Sequence, residues 1–376
     1  MAKDTTVKLN VRAINTYLLV ALGLILLFSV YTLVKVQTGL KDVKAPEPPK
    51  LAQLTLTIVE APACPDCFDA RNYAAAIKQI PLTNVTEERV KHDSIEGQKL
   101  IKEYKLTRLP AAVVTGEMEN ITIPAFTKKD DAYIFTDVPP PYYDLATAGV
   151  VGRVAVTYLV DPGCPLCFDV NQFTAQMKQI GVAVGSEKNF EYNSHDGIAL
   201  VKKYGITKVP TMLLSEDALE YELIKQAWPQ AGTTESDGTL VLRNVTPPYR
   251  DLSTRQVRGL VTLTLLVDKS CTACYNASMH ELVLEQSFSM KFKDVKTVDI
   301  SSATGENLVA KHKITAVPTM LLDKEADAYP ALAIAWQQIG TQESDGTYVF
   351  REVDLLQGVT YKDLSTGELK NATVEE

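Results

Sequence analysis

One pattern occurs three times along this 376-residue chain and constrains its fold more than any other feature. Each copy opens with a short apolar run rich in β-branched residues, and each run ends in an acidic residue: Glu60, Asp161 or Asp268. A Cys-x-x-Cys motif follows within four residues, and a proline follows the second cysteine after 43, 43 and 44 residues. Constant spacing across separate copies predicts three equivalent units, here numbered 1 to 3, rather than one continuous core.

Within each copy the sequence alternates between patterns typical of strands and of helices. The apolar runs at 54–59, 154–160 and 260–267 predict strands. The segments 68–80 and 168–180 have apolar residues three and four positions apart and predict helices after the cysteines. Another apolar strand is predicted directly after each proline.

The end of each copy is marked by turn signals. Asp237-Gly238 and Asp345-Gly346 predict hairpins in units 2 and 3, with positive φ expected at both central positions. A Tyr-x-Asp-Leu phrase closes all three copies, at 142–145, 249–252 and 361–364, which places the boundaries near 150 and 258.

A strand, a Cys-x-x-Cys motif that opens a helix, and a proline about 43 residues later resemble the thioredoxin-like superfamily. The resemblance covers about 51–370. It implies an α/β fold with three tandem thioredoxin-like domains, at 52–149, 150–257 and 258–370. Unlike the usual family pattern, no tryptophan precedes a motif; Trp228 and Trp336 lie after the prolines and are interpreted as core or hairpin residues.

The same resemblance implies the site residues. The first cysteine of a motif attacks a partner disulfide, and the second resolves the mixed disulfide. The proline, in cis, presents the neighbouring backbone to the substrate. The implied catalytic and disulfide-forming pairs are Cys64–Cys67, Cys164–Cys167 and Cys271–Cys274, and the implied cis prolines are Pro110, Pro210 and Pro318.

The position of each motif suggests how its first thiol is activated. At a helix N-terminus, free backbone N–H groups and the helix dipole stabilise a thiolate and lower its pKa. Asp66 lies between Cys64 and Cys67, where neutral Leu166 and Ala273 stand in the other units. Its negative charge opposes the Cys64 thiolate, which predicts that unit 1 holds its disulfide hardest and is the most reducing.

These residues allow other interpretations. Zinc needs four ligands, so two cysteine pairs would have to meet and one would be left over; no metal and no other cofactor is expected. A permanent structural disulfide in a module used for assembly stays open as an alternative.

The carboxylate at the end of each first strand also has two interpretations. It is either a residue that terminates the strand, or a group that accepts a proton from the second cysteine. The four histidines share no position and are interpreted as surface or loop residues: His92, His195, His280 and His312.

The N-terminal region differs from the three units. No charged residue occurs from Ala13 to Val34, a run of 22 positions that would extend about 33 Å as a helix and match a bilayer core. It ends without a small-x-small cleavage site, which favours a retained anchor over a cleaved signal peptide. The sequence therefore predicts a short cytosolic tail at 1–12, a transmembrane helix at 13–35 and a proline-containing linker at 36–51.

The orientation of this anchor rests on glycosylation sequons. Three basic residues on each side of the span leave the positive-inside rule undecided. Five of the twelve asparagines are in Asn-x-Ser/Thr sequons, which matter only outside the cytosol. Asn276 is interpreted as silent because it is expected just inside a helix. The bulk of the chain is therefore expected outside the cytosol, with glycosylation candidates Asn84, Asn120, Asn244 and Asn371.

Together these features predict a single-pass cell-membrane protein that exchanges thiols and disulfides with exported proteins. The alternative is a non-catalytic extracellular scaffold, or a subunit of a membrane complex, with structural disulfides. The span has no cysteine, so a separate membrane redox partner is expected to recharge the sites. The net charge of −8 and the absence of a basic tract argue against a nucleic-acid partner.

Overall fold

The computed structural model describes residues 11–41, 50–62, 64–119 and 121–372. Most of the predicted tail at 1–12, half of the predicted linker at 36–51 and Asn120 lie outside the described residues. The N-terminal apolar run forms a helix, Val11–Lys41, and its segment Leu19–Gln37 has a mean hydropathy of 2.3 and no buried residue. That segment, at about 28 Å, is long and apolar enough to cross a bilayer.

Each repeat forms a five-stranded mixed sheet with helices. In unit 1 the central strand Ala52–Glu60 pairs in parallel with Thr83–Lys91 and antiparallel with Ala111–Gly116, the strand after the first proline. A hairpin, Thr127–Lys129 and Ala132–Phe135, completes the sheet on the far side of that strand. The same strand order recurs in units 2 and 3. This is the thioredoxin-like topology, so the predicted fold of three such units behind one apolar helix is confirmed.

The remaining elements have closely matching bounds in the three units. Unit 1 has helices Arg71–Lys78 and Ile95–Tyr104 and short strands Arg108–Leu109, Tyr142–Asp144 and Gly149–Val151. Unit 2 comprises Val154–Val160, Asn171–Gln179, Val184–Glu191, His195–Tyr204, Lys208–Val209, Thr211–Leu214, Glu222–Ala231, Gly232–Thr234, Leu240–Leu242, Tyr249–Asp251 and Val257–Arg258, with a 3-10 helix at Glu216–Glu220. Unit 3 comprises Leu260–Val267, Ser278–Phe288, Lys291–Asp299, Ala303–His312, Ala316–Val317, Thr319–Leu322, Pro330–Ile339, Gly340–Gln342, Tyr348–Phe350, Thr360–Asp363 and Leu369–Asn371, with 3-10 helices at Lys324–Ala328 and Val353–Leu355.

Apolar residues of the central strand pack on both faces of each sheet. In unit 1, Leu56 and Ile58 face the core against the first helix, whereas Val59 faces a second core against the helix Ile95–Tyr104. Alternation of this kind follows from the two-residue period of a strand. Each unit is therefore a sheet between helices, and the cysteines follow the end of its central strand.

Trp228 and Trp336 are buried, and each donates its indole N–H to a hairpin strand. Their interpretation as core or hairpin residues is therefore confirmed.

The hairpins of units 2 and 3 are present, but their turns differ from the prediction. Gly238 and Gly346 have φ of +82° and +85°, whereas the preceding aspartates are not among the residues with positive φ. Gly238 N donates to Glu235 O at 3.0 Å, and Glu235 N donates to Thr239 O at 2.8 Å. The loop is longer than two residues, so only the glycine needs the left-handed conformation.

A closing ladder of three short strands joins each unit to the next. In unit 1 it consists of Arg108–Leu109, Tyr142–Asp144 and Gly149–Val151, so 149–151 pair with unit 1 and the chain enters the central strand of unit 2 at Val154. Only Gly152 and Arg153 lie between the last strand paired with unit 1 and the central strand of unit 2. The division of the chain into domains at 150 and 258 stays a prediction.

The junction glycine forms hydrogen bonds through both its backbone N–H and its carbonyl oxygen. Gly152 N donates to Asp217 Oδ1 at 2.8 Å, and Tyr221 donates its hydroxyl to Gly152 O at 2.8 Å. At the second junction, Gly259 N donates to Glu325 and Gly259 O accepts from Tyr329. Both glycines have φ near +90°, at +91° and +85°.

Candidate redox sites

Each Cys-x-x-Cys motif forms a tight turn between the central strand and the first helix of its unit. The cysteines are joined as Cys64–Cys67, Cys164–Cys167 and Cys271–Cys274. In units 1 and 2 the second cysteine donates its backbone N–H to the carbonyl of the first, at 3.2 and 3.1 Å. The described residues include no free cysteine.

The helices begin later than the sequence predicted. They start at Arg71, Asn171 and Ser278, four residues after the second cysteine, so the predicted bounds 68–80 and 168–180 were too wide. An Asx turn begins each helix: the backbone N–H of the first helical residue donates to the side chain of Asp69, Asp169 or Asn276. Asn276 is therefore exposed ahead of the helix, and placing it inside the helix was wrong.

The late helix start has a cause in the closing ladder. The backbone N–H of Phe68 donates to Pro141 O at 3.2 Å, that of Phe168 to Pro248 O at 3.0 Å, and that of Tyr275 to Thr360 O at 2.9 Å. A donor bonded to the closing segment is unavailable to a ligand or a thiolate at the cysteine turn. The expected stabilisation of the first thiolate by a helix N-terminus is correspondingly weaker than the sequence suggested, because that effect fades within one turn.

In units 1 and 3 the proline segment after the cysteines lies beside the sulfur atoms. The Leu109–Pro110, Val209–Pro210 and Val317–Pro318 peptide bonds are cis. Cys274 Sγ lies 4.0 Å from the carbonyl oxygen of Val317. In unit 1, Cys64, Cys67 and Pro110 line one cavity of about 400 Å³. Two further cis bonds, Pro140–Pro141 and Pro247–Pro248, were missed by sequence reasoning.

The three first cysteines differ in exposure. Cys64 and Cys271 are half-buried, whereas Cys164 is 6% exposed. A cavity of about 380 Å³ lies beside the second turn, lined by Leu166 and Cys167 of unit 2 and by Glu285 and Lys291 of unit 3. A protein disulfide can therefore approach the first sulfur of unit 2 less readily than those of units 1 and 3.

A buried ion pair lies beside the cysteines of unit 2. Asp161 ends the central strand, and Arg250 is the variable residue of the closing phrase, paired with Val209 next to the cis proline. Arg250 Nε donates to Asp161 Oδ2 at 2.7 Å, and Gly163 N donates to the other oxygen at 3.0 Å. The Asp161 carboxylate and both sulfur atoms lie within 4.8 Å of one another. With Arg250 on the carboxylate, this cluster is poorly suited to a cation.

The equivalent positions in units 1 and 3 show how this pair varies. In unit 3, Lys362 Nζ lies 2.6 Å from Asp268 Oδ2, and its hydrogen bond lowers the pKa of the Asp268 carboxyl. In unit 1, Glu60 is partly exposed and Tyr143 stands in the basic position. Sequence reasoning missed these basic partners, although the closing phrase contained a signal: its variable residue is basic in the two units whose strand ends in aspartate.

Unit 3 has a hydrogen-bonded tyrosine–histidine pair directly after its cysteines, with Tyr275 partly buried and His280 buried. The Tyr275 hydroxyl lies 2.7 Å from Pro318 O and 2.8 Å from His280 Nε2. A hydroxyl has one proton, so donation to the carbonyl leaves His280 Nε2–H as the donor to the tyrosine. Burial lowers the pKa of His280 to about 4.

The interpretation of the four histidines as surface or loop residues is correct for only two of them. His195 is exposed, and His92 is partly exposed after the second strand. His280 and His312 are each 3% exposed and lie within helices, so placing them at the surface was wrong. Each takes an inward position of an amphipathic helix, where aromatic residues occur in the equivalent places: Tyr73 and Phe173 for His280, and Tyr104 and Tyr204 for His312.

The motif of unit 1 is contacted by a residue of unit 2. Arg153 Nε donates to Asp66 Oδ2 at 2.8 Å, and its terminal nitrogen contacts both Asp66 Oδ1 and, at 3.5 Å, Cys64 Sγ. Hydrogen bonds from this guanidinium lower the pKa of the Asp66 carboxyl. The prediction that unit 1 is the most reducing considered only the charge of Asp66. It did not include the opposite charge of Arg153, so its premise is incomplete.

The described glycosylation candidates are all exposed: Asn84, Asn244 and Asn371. Asn84 donates its amide to Gln53, and Asn371 accepts a hydrogen bond from Thr360 through the oxygen of its amide. All three side chains are therefore accessible from the solvent.

Solved structures similar to this chain include the N-terminal domain of alkylhydroperoxide reductase AhpF from Enterococcus faecalis, at 16% identity over 44% of this chain and 83% of that one, with a TM-score of 0.16. Human ERp44 is 10% identical over 74% of this chain and 80% of that one, with a TM-score of 0.14. Full-length ERdj5 is 10% identical over 76% and 43% of the two chains, with a TM-score of 0.14. No family model matches the sequence. No curated protein matches it either. The assignment of fold rests on the strand order, cysteine turns and cis prolines of the chain itself.

Proposed function

We propose that this chain of three thioredoxin-like units is a membrane-anchored thiol–disulfide oxidoreductase that acts on exported proteins outside the cytosol. The observation that carries the proposal is the placement of a Cys-x-x-Cys disulfide beside a cis-proline segment in units 1 and 3. A disulfide held in a four-residue turn at the surface can pass its bond to another thiol pair, whereas a disulfide buried in a core cannot.

The exchange is proposed as a balanced two-electron step. A thiolate of a substrate dithiol attacks Sγ of Cys64, the Cys64–Cys67 bond breaks, and a mixed disulfide forms. The second substrate thiolate then attacks the mixed disulfide and leaves Cys64 as a thiolate and Cys67 as a thiol. The substrate loses two electrons and two protons; one proton stays on Cys67 and the other goes to solvent. The reverse reaction reduces a substrate disulfide.

Unit 2 supports a different role. Cys164 is 6% exposed. Arg250 donates a hydrogen bond to Asp161, whose carboxylate lies within 4.8 Å of both sulfurs. We propose that Cys164–Cys167 is a structural disulfide and that units 1 and 3 are the active ones. A scaffold function for the whole chain is the second candidate, and the burial of Cys164 is the observation that favours it.

The deciding experiment measures exchange site by site. The full-length protein, in detergent micelles, is equilibrated with glutathione buffers, and mass spectrometry quantifies each disulfide. Cys64–Cys67 and Cys271–Cys274 should follow the buffer within minutes, and Cys164–Cys167 should respond far more slowly. Exchange with a fluorescent peptide disulfide should be lost in a variant with serine at 64, 67, 271 and 274. Three inert disulfides would leave only the scaffold function.

The membrane and glycosylation proposals have a separate test. The chain should stay in the membrane fraction after carbonate extraction, because the segment Leu19–Gln37 is apolar and long enough to span. Protease added to intact cells should remove residues beyond about 40. Glutamine at Asn84, Asn244 and Asn371 should abolish any shift in mass caused by a glycosidase at those positions. Protection of the whole chain from external protease would reverse the proposed orientation and exclude the glycosylation proposal.

A further inference from the structure

The cysteine turn of unit 1 is completed by unit 2. Arg153 directly precedes the central strand of unit 2, yet its side chain reaches the Cys64–Asp66 turn of unit 1. One terminal guanidinium nitrogen lies 3.5 Å from Cys64 Sγ, and Asp66 Oδ1 lies 3.6 Å from the same sulfur. A cation and an anion therefore lie at almost equal distances from the atom that would become a thiolate.

The charges at this turn differ from those at the second junction. The residue after the junction glycine is Arg153 at the first junction and Leu260 at the second, and the residue inside the facing motif is Asp66 or Leu166. The two positions that hold the charged pair Arg153 and Asp66 at the first junction hold the apolar residues Leu260 and Leu166 at the second. The guanidinium contact is consequently a property of unit 1 and not a general consequence of joining two units.

We propose that Arg153 is a thiolate-binding residue of the unit 1 site. On reduction, Cys64 gains a negative charge beside a guanidinium that already lies at hydrogen-bond distance for sulfur. Asp66 fixes the orientation of that guanidinium through two hydrogen bonds and at the same time opposes the thiolate. Unit 1 is therefore tuned at its junction with unit 2: the Arg153 guanidinium offsets the repulsion between Asp66 and the Cys64 thiolate, and so favours the reduced form of Cys64, only while this contact is in place.

This inference rests on the proposed function for its biological meaning but not for its test. The full-length protein is reduced in detergent micelles, and the rate of Cys64 alkylation by iodoacetamide is followed from pH 4 to 10 by peptide mass spectrometry. Arg153→Met should raise the pKa of Cys64 by about one unit or more, because it removes the cation and leaves Asp66 unopposed. Asp66→Asn should lower that pKa, and Arg153→Lys should restore part of the loss.

Two controls separate a direct contact from a general loosening of the two units. Arg108→Met breaks another ion pair between them, Arg108–Glu220 at 3.7 Å, without touching the cysteine turn. The pKa of Cys64 should not change in this variant, and that of Cys271 should not change in any of them. An equal rise in the Arg108 and Arg153 variants would replace the proposal by a docking effect, and an unchanged Cys64 in Arg153→Met would overturn it.

The redox equilibrium provides an independent readout. If the pKa of Cys64 rises by about one unit in Arg153→Met, the glutathione equilibrium of Cys64–Cys67 should shift about tenfold toward the disulfide. This shift corresponds to a reduction potential about 30 mV more reducing. The difference should shrink in 1 M salt, because the Arg153 and Asp66 side chains are 38% and 41% exposed. A shifted pKa without exchange on a peptide disulfide would contradict the proposed function alone. Normal exchange with no effect of Arg153 would contradict this inference alone.

Discussion

Arg250 Nε lies 2.7 Å from Oδ2 of Asp161, whose side chain is 2% exposed, and this pair ties the closing ladder of unit 2 to the end of its central strand. Arg250→Met should destabilise unit 2 by about 3–5 kcal/mol, because it leaves a buried carboxylate without its counter-ion. Urea unfolding followed by Trp228 fluorescence, in a Trp336→Phe background, measures the change.

The matched comparison lies in unit 3. Lys362→Met should have a smaller effect on unit 3, because Lys362 is 27% exposed and Asp268 is less deeply buried. Asp161→Asn combined with Arg250→Met should recover most of the stability lost in the single Arg250 variant. A double variant as unstable as the single one would show that Arg250 acts through packing and not through the charge of Asp161.

Tyr73 presents the opposite situation, a buried hydroxyl without a hydrogen-bond partner, and it is the only such side-chain atom among the residues that the structure describes. Tyr73→Phe should leave unit 1 as stable as before or stabilise it by up to about 1 kcal/mol, since an unsatisfied polar group is removed. Phe173 already occupies the equivalent position in unit 2. Hydrogen exchange of peptides from the sheet of unit 1 measures the effect.

Tyr158 is the control for that substitution. Its hydroxyl lies 2.7 Å from both the Thr174 hydroxyl and the Glu187 carboxylate. Tyr158→Phe should destabilise unit 2 by about 1–2 kcal/mol, because two polar partners lose a bond. Equal effects of the two substitutions would mean that the Tyr73 hydroxyl is satisfied in solution.

His280 should make unit 3 sensitive to mild acid. Burial lowers its pKa in the folded state to about 4, against about 6.5 in an unfolded chain. As pH falls below 6.5, the unfolded state binds a proton that the folded state does not, so stability is lost between about pH 6.5 and 4. The expected loss between pH 7 and 5 is about 2 kcal/mol.

His280→Phe should remove this part of the pH dependence. Urea unfolding at pH 7 and pH 5, followed by Trp336 fluorescence in a Trp228→Phe background, compares the variant with the parent chain. His195→Phe, at an exposed site, should leave the pH dependence of unit 3 unchanged. An identical loss of stability in the His280 variant would assign the acid sensitivity to other groups.

The junction glycine should tolerate no side chain. Gly152 has a φ of +91°, and an added Cβ would lie 2.5 Å from Cβ of Pro140. Gly181 has a similar φ of +86° but nothing within 4 Å of the same position. Gly181→Ala should therefore destabilise unit 2 by about 1–2 kcal/mol from backbone strain alone, and Gly152→Ala should cost more. Scanning calorimetry of both variants decides this, and a Gly152→Ala chain as stable as Gly181→Ala would argue against the steric contact.

Much of the fold was accessible from the sequence because its signals are local and repeated. The apolar runs before the cysteines, the proline spacing and the Asp-Gly hairpins each depend on residues close together in the chain. The helix starts were placed too early because the competing partner of Phe68 is Pro141, which is distant in sequence and close only in the folded unit.

The sites were predicted less completely for the same reason. Cys64, Cys67 and Pro110 could be identified from spacing, but Arg153 could not, since it contacts Cys64 across 89 positions and between two units. Arg250 and Asp161 are likewise 89 residues apart and meet only through the closing ladder. Charge interactions of this kind leave no periodic signature, whereas a strand or an amphipathic helix does.

The clamped glycines at 152 and 259 also bear on how such a chain arose and can grow. Each later copy contains the side chains that hold the junction before it. The carboxylates of Asp217 and Glu325 accept from the glycine N–H groups, and the hydroxyls of Tyr221 and Tyr329 donate to the glycine carbonyls. A duplicated gene segment that starts just after such a glycine therefore encodes both a new unit and the side chains that bond the glycine at the end of the preceding unit. Copy number in this architecture can change by recombination without the invention of a new linker.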